Sequence, residues 1–178
     1  FSIRLFFLGL LLGVIGFTVL WALIWPSLPD VETLREVDIK DLDTVLKSDF
    51  MDEEMRRYVR HVVTEIDRTL KAVEALGKRD YAVAGKLLNA SHASLRDDYK
   101  VSCPELDFIS ATVQKLDGVA GCRITGGGFG GSAIALLRRD QAETVSRTIA
   151  EAYRAEFGIE AKIFETRPMG GARAERCE

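Results

Sequence analysis

The sequence predicts an α+β domain, with helices packed on a small, largely antiparallel sheet, preceded by one transmembrane helix. Three observations carry that expectation. Apolar side chains recur at helical spacing through residues 52–76. Two apolar runs, 119–125 and 132–137, flank a loop made almost wholly of glycine. Residues 5–25 contain no charged side chain at all.

The uncharged run opens at Leu5 and closes at Trp25, long enough for the about 20 apolar residues that a bilayer core requires. Trp21 and Trp25 suit the membrane interface, and Pro26 stops a helix there. A secretory leader would have a shorter apolar core and a small-residue cleavage site, and no A-x-A pattern follows. Arg4 before the run, and Arg35 and Lys40 after it, leave the orientation open. The chain divides into an anchor at 1–25, a connector at 26–47, a folded domain at 48–168 and a flexible tail at 169–178. It opens on Phe1 and reads as a piece of a longer polypeptide.

Of 178 residues, 47% are hydrophobic and 29% charged, a globular composition. A net charge of -3 with no basic patch excludes a nucleic-acid partner. Cys103, Cys122 and Cys177 are scattered, no CxxC pair exists, and His61 and His92 lie far apart. No metal site is expected, and the cysteines read as reduced thiols.

Within the domain, Met55, Val59, Val62, Val63, Ile66, Leu70 and Val73 form the apolar face of a first helix, with Gly77 as its C-cap. Asp80 caps a second helix carrying Val83, Leu87, Leu88 and Leu95. Ser102 and Glu105 make a capping box, with Pro104 early in a third helix whose apolar face is Leu106, Ile109, Val113 and Leu116. Gly118 closes that helix. Residues 119–125 read as a strand and 132–137 as its hairpin partner. Asp140 and Glu143 make a second capping box, and the helix they open runs to Phe157, with Gly158 as its stop. Residues 159–166 read as a third strand, ending at Arg167 and Pro168.

Gly126, Gly127, Gly128, Gly130 and Gly131 surround Phe129 in the hairpin loop. A tight hairpin needs two glycines at most. The excess lets the backbone approach a ligand or another loop closely, with bare N–H groups facing an anion. The plainer alternative is a wide structural turn. No Gly-Lys-Ser/Thr follows, so the loop is no Walker A, and it opens onto a strand, so it is no dinucleotide fingerprint. Ser91, His92, Ser94, Arg96, Asp97, Asp98 and Tyr99 make the other dense polar cluster. They read as a capped helix end or as catalytic groups. Asp97 and Asp98 are adjacent and point different ways, so they form no acid/base pair.

Three segments then coincide. RHVVTEIDRTLKAVEAL, SHASLRDDYKVSCPELD and GCRITGGGFGGSAIALL occur in this order and spacing. Together they resemble the C-terminal region of the galactokinases, within the GHMP family of small-molecule kinases, over residues 34–168. The last segment resembles that family's third motif. Ser132 stands where a cysteine commonly follows the glycines.

The resemblance implies a cytoplasmic kinase fold that binds ATP, with Mg²⁺, and galactose in a cleft between two domains. It places the third motif against the phosphate-binding loop of the N-terminal half. It also assigns the sugar contacts and catalytic groups to that half, whose motifs are not found in this sequence. No catalytic residue is therefore expected here, and the chain alone should be inactive. Residues 1–37 resemble instead the membrane anchor of class A penicillin-binding proteins, through Pro26, Leu28, Pro29 and Leu34. In that orientation the domain would sit away from ATP. The alternatives to a kinase fragment are a membrane-anchored envelope protein and a non-catalytic interaction module on the same fold.

Overall fold

The computed structural model describes residues 31–166. The expected span at 5–25, its anchor role and the tail at 169–178 lie outside those residues. Among the described residues no helix is long and apolar enough to cross a membrane.

Two 3-10 turns, Leu34–Glu36 and Ile39–Asp41, lead into the short helix α1, Leu42–Leu46. Three helices follow: α2 (Glu53–Gly77), α3 (Tyr81–Asp97) and α4 (Pro104–Val113). An antiparallel hairpin of β1 (Val119–Thr125) and β2 (Ser132–Leu137) comes next, then α5 (Ala142–Phe157). The α+β expectation holds as helices on a two-stranded sheet.

Local chemistry sets most of the boundaries. The carboxylate of Asp52 accepts from the Met55 amide at 2.7 Å, and that of Asp80 from the Val83 amide at 3.0 Å, so both helices start on a satisfied cap. Pro104 occupies the first turn of α4, where its missing N–H costs nothing. Gly158, with φ 67°, ends α5 by donating to the Arg154 carbonyl at 2.9 Å.

Several expectations are corrected. Gly77 is the last residue of α2 and not its cap. The left-handed residue is Arg79, with φ 57°, because the Asp80 amide folds back to the Ala75 carbonyl at 2.8 Å while its side chain caps α3. Ser102 makes no capping box; Cys103 takes the cap position and the Ser102 hydroxyl donates to Asp107 at 2.6 Å. The box at Asp140 also fails, since a 3-10 turn (Arg139–Gln141) precedes α5 and shifts the helix start past it. Residues 159–166 form no strand: among the described residues the sheet consists of β1 and β2.

The apolar stripe of α2 is only half covered. The buried residues of α2 are His61, Val63 and Ala75. Val63 packs with Val37 and Leu42, and Val31, Val45, Leu46 and Val59 surround them. The lead-in thus covers the N-terminal half of the stripe. Leu70 and Val73, on the C-terminal half, are 68% and 66% exposed.

A second cluster joins Val113 of α4, Cys122 of β1, and Val145 and Ile149 of α5, with Ala133 and Leu137 of β2 packed against it. The opposite side of β1 meets α3 backbone to backbone. A Cβ on Gly85 would lie 2.0 Å from the Ala120 carbonyl oxygen, and one on Gly121 would lie 2.1 Å from the Gly85 carbonyl oxygen.

These distances decide the sign of a substitution that helix propensity alone would favour. Alanine at a helical glycine gains about 1 kcal/mol of propensity. Forcing a methyl into packed backbone typically costs about 1–3 kcal/mol, and an overlap with a carbonyl sits at or above the top of that range. Gly85→Ala should therefore destabilise by about 2 kcal/mol in urea unfolding. Gly77→Ala, where an added Cβ meets nothing within 4 Å, should not.

Candidate functional site

The loop between β1 and β2 holds an unusual backbone. Gly126, Gly128, Phe129, Gly130 and Gly131 all have positive φ, at 91°, 81°, 58°, 123° and 92°. Gly130 lies outside even the left-handed helical region, where only glycine sits without strain. Phe129 adopts the left-handed conformation with its side chain 78% exposed.

What holds the loop is Val101. The Phe129 amide donates to the Val101 carbonyl at 2.7 Å. A Cβ on Gly128 would lie 2.4 Å from that same oxygen and 2.7 Å from Val101 Cβ. An added Cβ at Gly126, Gly127, Gly130 or Gly131 would meet nothing within 4 Å. The glycines therefore divide into one that clears the supporting segment and four that face open space.

Val101 is itself fixed from α3. Its amide donates to the Leu95 carbonyl at 3.0 Å, across Lys100 at φ 61°. Beside it, the Tyr99 ring stacks on His61 with centroids 4.5 Å apart, and Tyr58 meets Tyr99 edge-on at 5.6 Å.

The polar cluster at the end of α3 divides: Arg96 and Asp97 pair with each other on the surface, and the serines and His92 turn inward. Ser91, His92 and Ser94 are buried. The Ser94 hydroxyl donates to Asp98 at 3.0 Å, and Arg60 closes on the same carboxylate at 2.9 Å. His61 Nδ1 lies 3.0 Å from Ser94 Oγ. Since the one Ser94 proton goes to Asp98, His61 must carry its proton on Nδ1. Glu65 accepts from Ser91 at 2.6 Å and from Arg68, with Arg123 of β1 at 3.7 Å. His92 Nε2 sits 3.2 Å from Asp107 but off the line of a hydrogen bond, leaving both ring nitrogens unsatisfied.

Burial lowers the pKa of both histidines, more than the nearby carboxylates of Glu65 and Asp107 raise them. These groups are buried or half-buried and partner one another, apart from His92. They tie α2, α3 and β1 together beneath the loop and present no accessible acid/base pair. Among the described residues no group of His, Cys, Asp or Glu is arranged to hold a metal.

The family described as GHMP kinases C terminal matches residues 38–155, which span the loop, its support and the buried network. The chain belongs to the GHMP kinase C-terminal family. It is 44% identical over 148 residues to the galactokinase of Streptomyces coelicolor, covering 83% of this chain and 38% of that protein. It is 47% identical over 122 residues to the galactokinase of Homo sapiens, covering 68% of this chain and 31% of that one. The crystal structure of Lactococcus lactis galactokinase complexed with galactose matches 81% of this chain and 38% of its own, with TM-score 0.69 and 36% identity. The chain thus spans well under half of these relatives. The likeness of residues 1–37 to a penicillin-binding-protein anchor gains no support from these comparisons.

Within this GHMP domain, Val101, Asn89 and Gly85 escaped the sequence reading. Val101 has no local signature, because its role arises from Lys100 turning the chain under the loop. Asn89 accepts from the Cys122 amide at 2.8 Å, a bond across 33 residues. Gly85 did leave a trace: a glycine inside a helical pattern usually has a packing reason.

The two buried histidines contribute to the pH response of the GHMP domain. Both folded-state pKa values lie below the 6.5 of the unfolded chain. The unfolded state therefore binds more protons below about pH 6.5, and stability must fall as pH falls through that window. Each histidine contributes a slope of at most about 1.4 kcal/mol per pH unit. Thermal melts should show a lower midpoint at pH 5.5 than at pH 7.5, and His92→Gln should flatten the difference.

Proposed function

We propose that this chain is the C-terminal part of a galactokinase, and that in the complete enzyme its glycine loop lines the phosphate side of the ATP site. The reaction is transfer of the γ-phosphoryl group of ATP to the anomeric hydroxyl of galactose. The single observation that carries this reading is the loop itself. Four glycines with open space around them expose backbone on the side away from Val101, and bare amides in such turns suit an anion. The galactokinase relatives supply the substrate class.

Phosphoryl transfer depends on positioning and charge stabilisation, with Mg²⁺ bridging the phosphates. The described residues do not fit a Mg²⁺ site of their own. They also offer no accessible base, since His61 and Ser94 are buried in their own network. The chain alone accordingly does not turn over. The kinase role places this domain in the cytoplasm, where ATP is available.

Two measurements check the reading. Purified chain should release no galactose-dependent ADP above an empty-vector control in a coupled assay. The loop is tested in a chimera, the Streptomyces coelicolor galactokinase carrying residues 38–166 of this chain. Gly128→Val would confound the two readings, because its side chain strikes Val101 whatever the loop binds. Gly127 separates them: it has open space and no positive φ. Gly127→Ala should leave the melting temperature of the chimera unchanged and lower kcat/KM for ATP tenfold or more, about 1.4 kcal/mol of transition-state stabilisation. Normal kinetics in that variant would leave the loop a plain hairpin turn.

A further inference from the structure

We propose that His92 is a positioning residue for the glycine loop: a proton taken up by its buried ring draws the Asp107 carboxylate away from the Ser102 hydroxyl, and the segment carrying Val101 then loosens its hold on Phe129. The inference concerns how firmly the loop is held and stands whatever the loop binds.

It starts from an orphaned side chain. His92 is 3% exposed, and neither ring nitrogen has a hydrogen-bond partner among the described residues. Buried polar groups are nearly always paired, so two unpaired nitrogens on one ring call for a reason. A neutral imidazole carries one N–H and one bare lone pair. In either tautomer Nε2 sits 3.2 Å from Asp107 without the alignment of a hydrogen bond. When a second proton arrives from solvent, both nitrogens become donors, and Nε2 is then a charged donor beside a carboxylate.

Asp107 already has a partner. The same oxygen, Oδ1, accepts from the Ser102 hydroxyl at 2.6 Å. The imidazolium brings a full positive charge to a contact that the hydroxyl makes through its dipole alone. In a buried setting that attraction is little screened. The carboxylate therefore turns to align Oδ1 with Nε2–H, and its alignment with Ser102 is lost.

Ser102 stands directly behind the loop support. The Val101 carbonyl belongs to the peptide that joins Val101 to Ser102, so a shift of Ser102 tilts that carbonyl. It is the group that accepts from the Phe129 amide at 2.7 Å. Among the described residues no other backbone hydrogen bond ties 126–131 to a neighbouring segment. A small movement at Asp107 thus reaches the one bond that fixes Phe129 in its left-handed conformation.

The surrounding charges set the range. Asp107 of α4 faces the ring, while on α3 itself Arg96 opposes an added charge and Asp97 favours it. Ser91 and Ser94, three residues apart, share the adjacent face of α3. They engage the charged groups of α2 and β1 there: Glu65 takes Ser91, with Arg68 and Arg123 around it, and His61 takes Ser94. Burial lowers the pKa of His92 from its ordinary 6.5, so the loosening sets in on the acid side of that value.

NMR on the full chain in mild detergent reads both ends of this linkage. The His92 ring protons give its titration midpoint between about pH 7.5 and pH 5. Hydrogen exchange, corrected for the intrinsic rate at each pH, gives the protection of single amides. Phe129 protection should fall about threefold or more through the His92 midpoint. The Cys122 amide, held by Asn89, serves as the core reference and should change less. His92→Gln should abolish the fall. Ser102→Ala leaves the histidine in place and cuts the link: Phe129 protection should already be low at neutral pH, with no further fall as His92 titrates.

A His92 ring that stays neutral down to about pH 5 overturns the proposal. So does Phe129 protection that is constant with pH, or that falls in step with Cys122, since the whole domain then opens. A fall that survives in His92→Gln assigns the effect to His61 and overturns it as well. Should His92→Gln fail to fold, Ser102→Ala decides alone, and a pH-dependent fall retained there overturns the linkage.

Discussion

The structure depends on one close approach, that of the α3 backbone to the β1 backbone at Gly85 and Gly121. A side chain on Gly85 would strike the Ala120 carbonyl, and one on Gly121 the Gly85 carbonyl. With the helix this near, Asn89, one turn further on, can reach the Cys122 amide, and Ser110 of α4 approaches the Cys122 carbonyl at 3.4 Å. Both backbone polar groups of Cys122 are thus engaged from helices, and β1 is registered along its length as well as packed. A shift of α3 by a fraction of an ångström would disturb all three contacts together.

The same helix carries the loop support. The C-terminal turn of α3 delivers Tyr99, Lys100 and Val101, and Val101 receives the Phe129 amide. The far end of the hairpin is therefore referred back to the element that fixes its beginning. Beneath this, Arg60, His61 and Glu65 of α2 meet Ser91, Ser94 and Asp98 in a chain of buried and half-buried polar contacts. Networks of this kind favour one arrangement strongly, because any slip leaves enclosed groups without partners. The left-handed Phe129 persists in the loop because the Val101 carbonyl holds its amide.

Features governed by nearest neighbours were legible in the sequence. Asp80 announces a helix start because a carboxylate finds an amide three residues on. Gly158 announces a stop because the left-handed turn is local. The glycine loop was equally legible as a loop. Its internal division was not, since what distinguishes Gly128 from Gly127 is a valine some 27 residues earlier. Periodicity found the apolar stripe of α2 without revealing that only half of it would be covered. The reading of 159–166 failed for a related reason: strand propensity reflects fit to a sheet, and the described sheet holds β1 and β2 alone. The misplaced capping boxes at Ser102 and Asp140 show side chains with better partners elsewhere.

Cys122 gives the core a reporter of its own. Its thiol is 1% exposed, and burial pushes its pKa up to about 11. Only the thiolate attacks disulfides and alkylating reagents, so the folded domain withholds this sulfur twice, by access and by protonation. Cys103, at the start of α4, is partly accessible. One chain therefore carries two clocks. Cys103 reads the reagent, whereas Cys122 reacts only in molecules whose helices have parted from β1. The ratio of their labelling rates measures how often α4 and α5 part from β1, without denaturant.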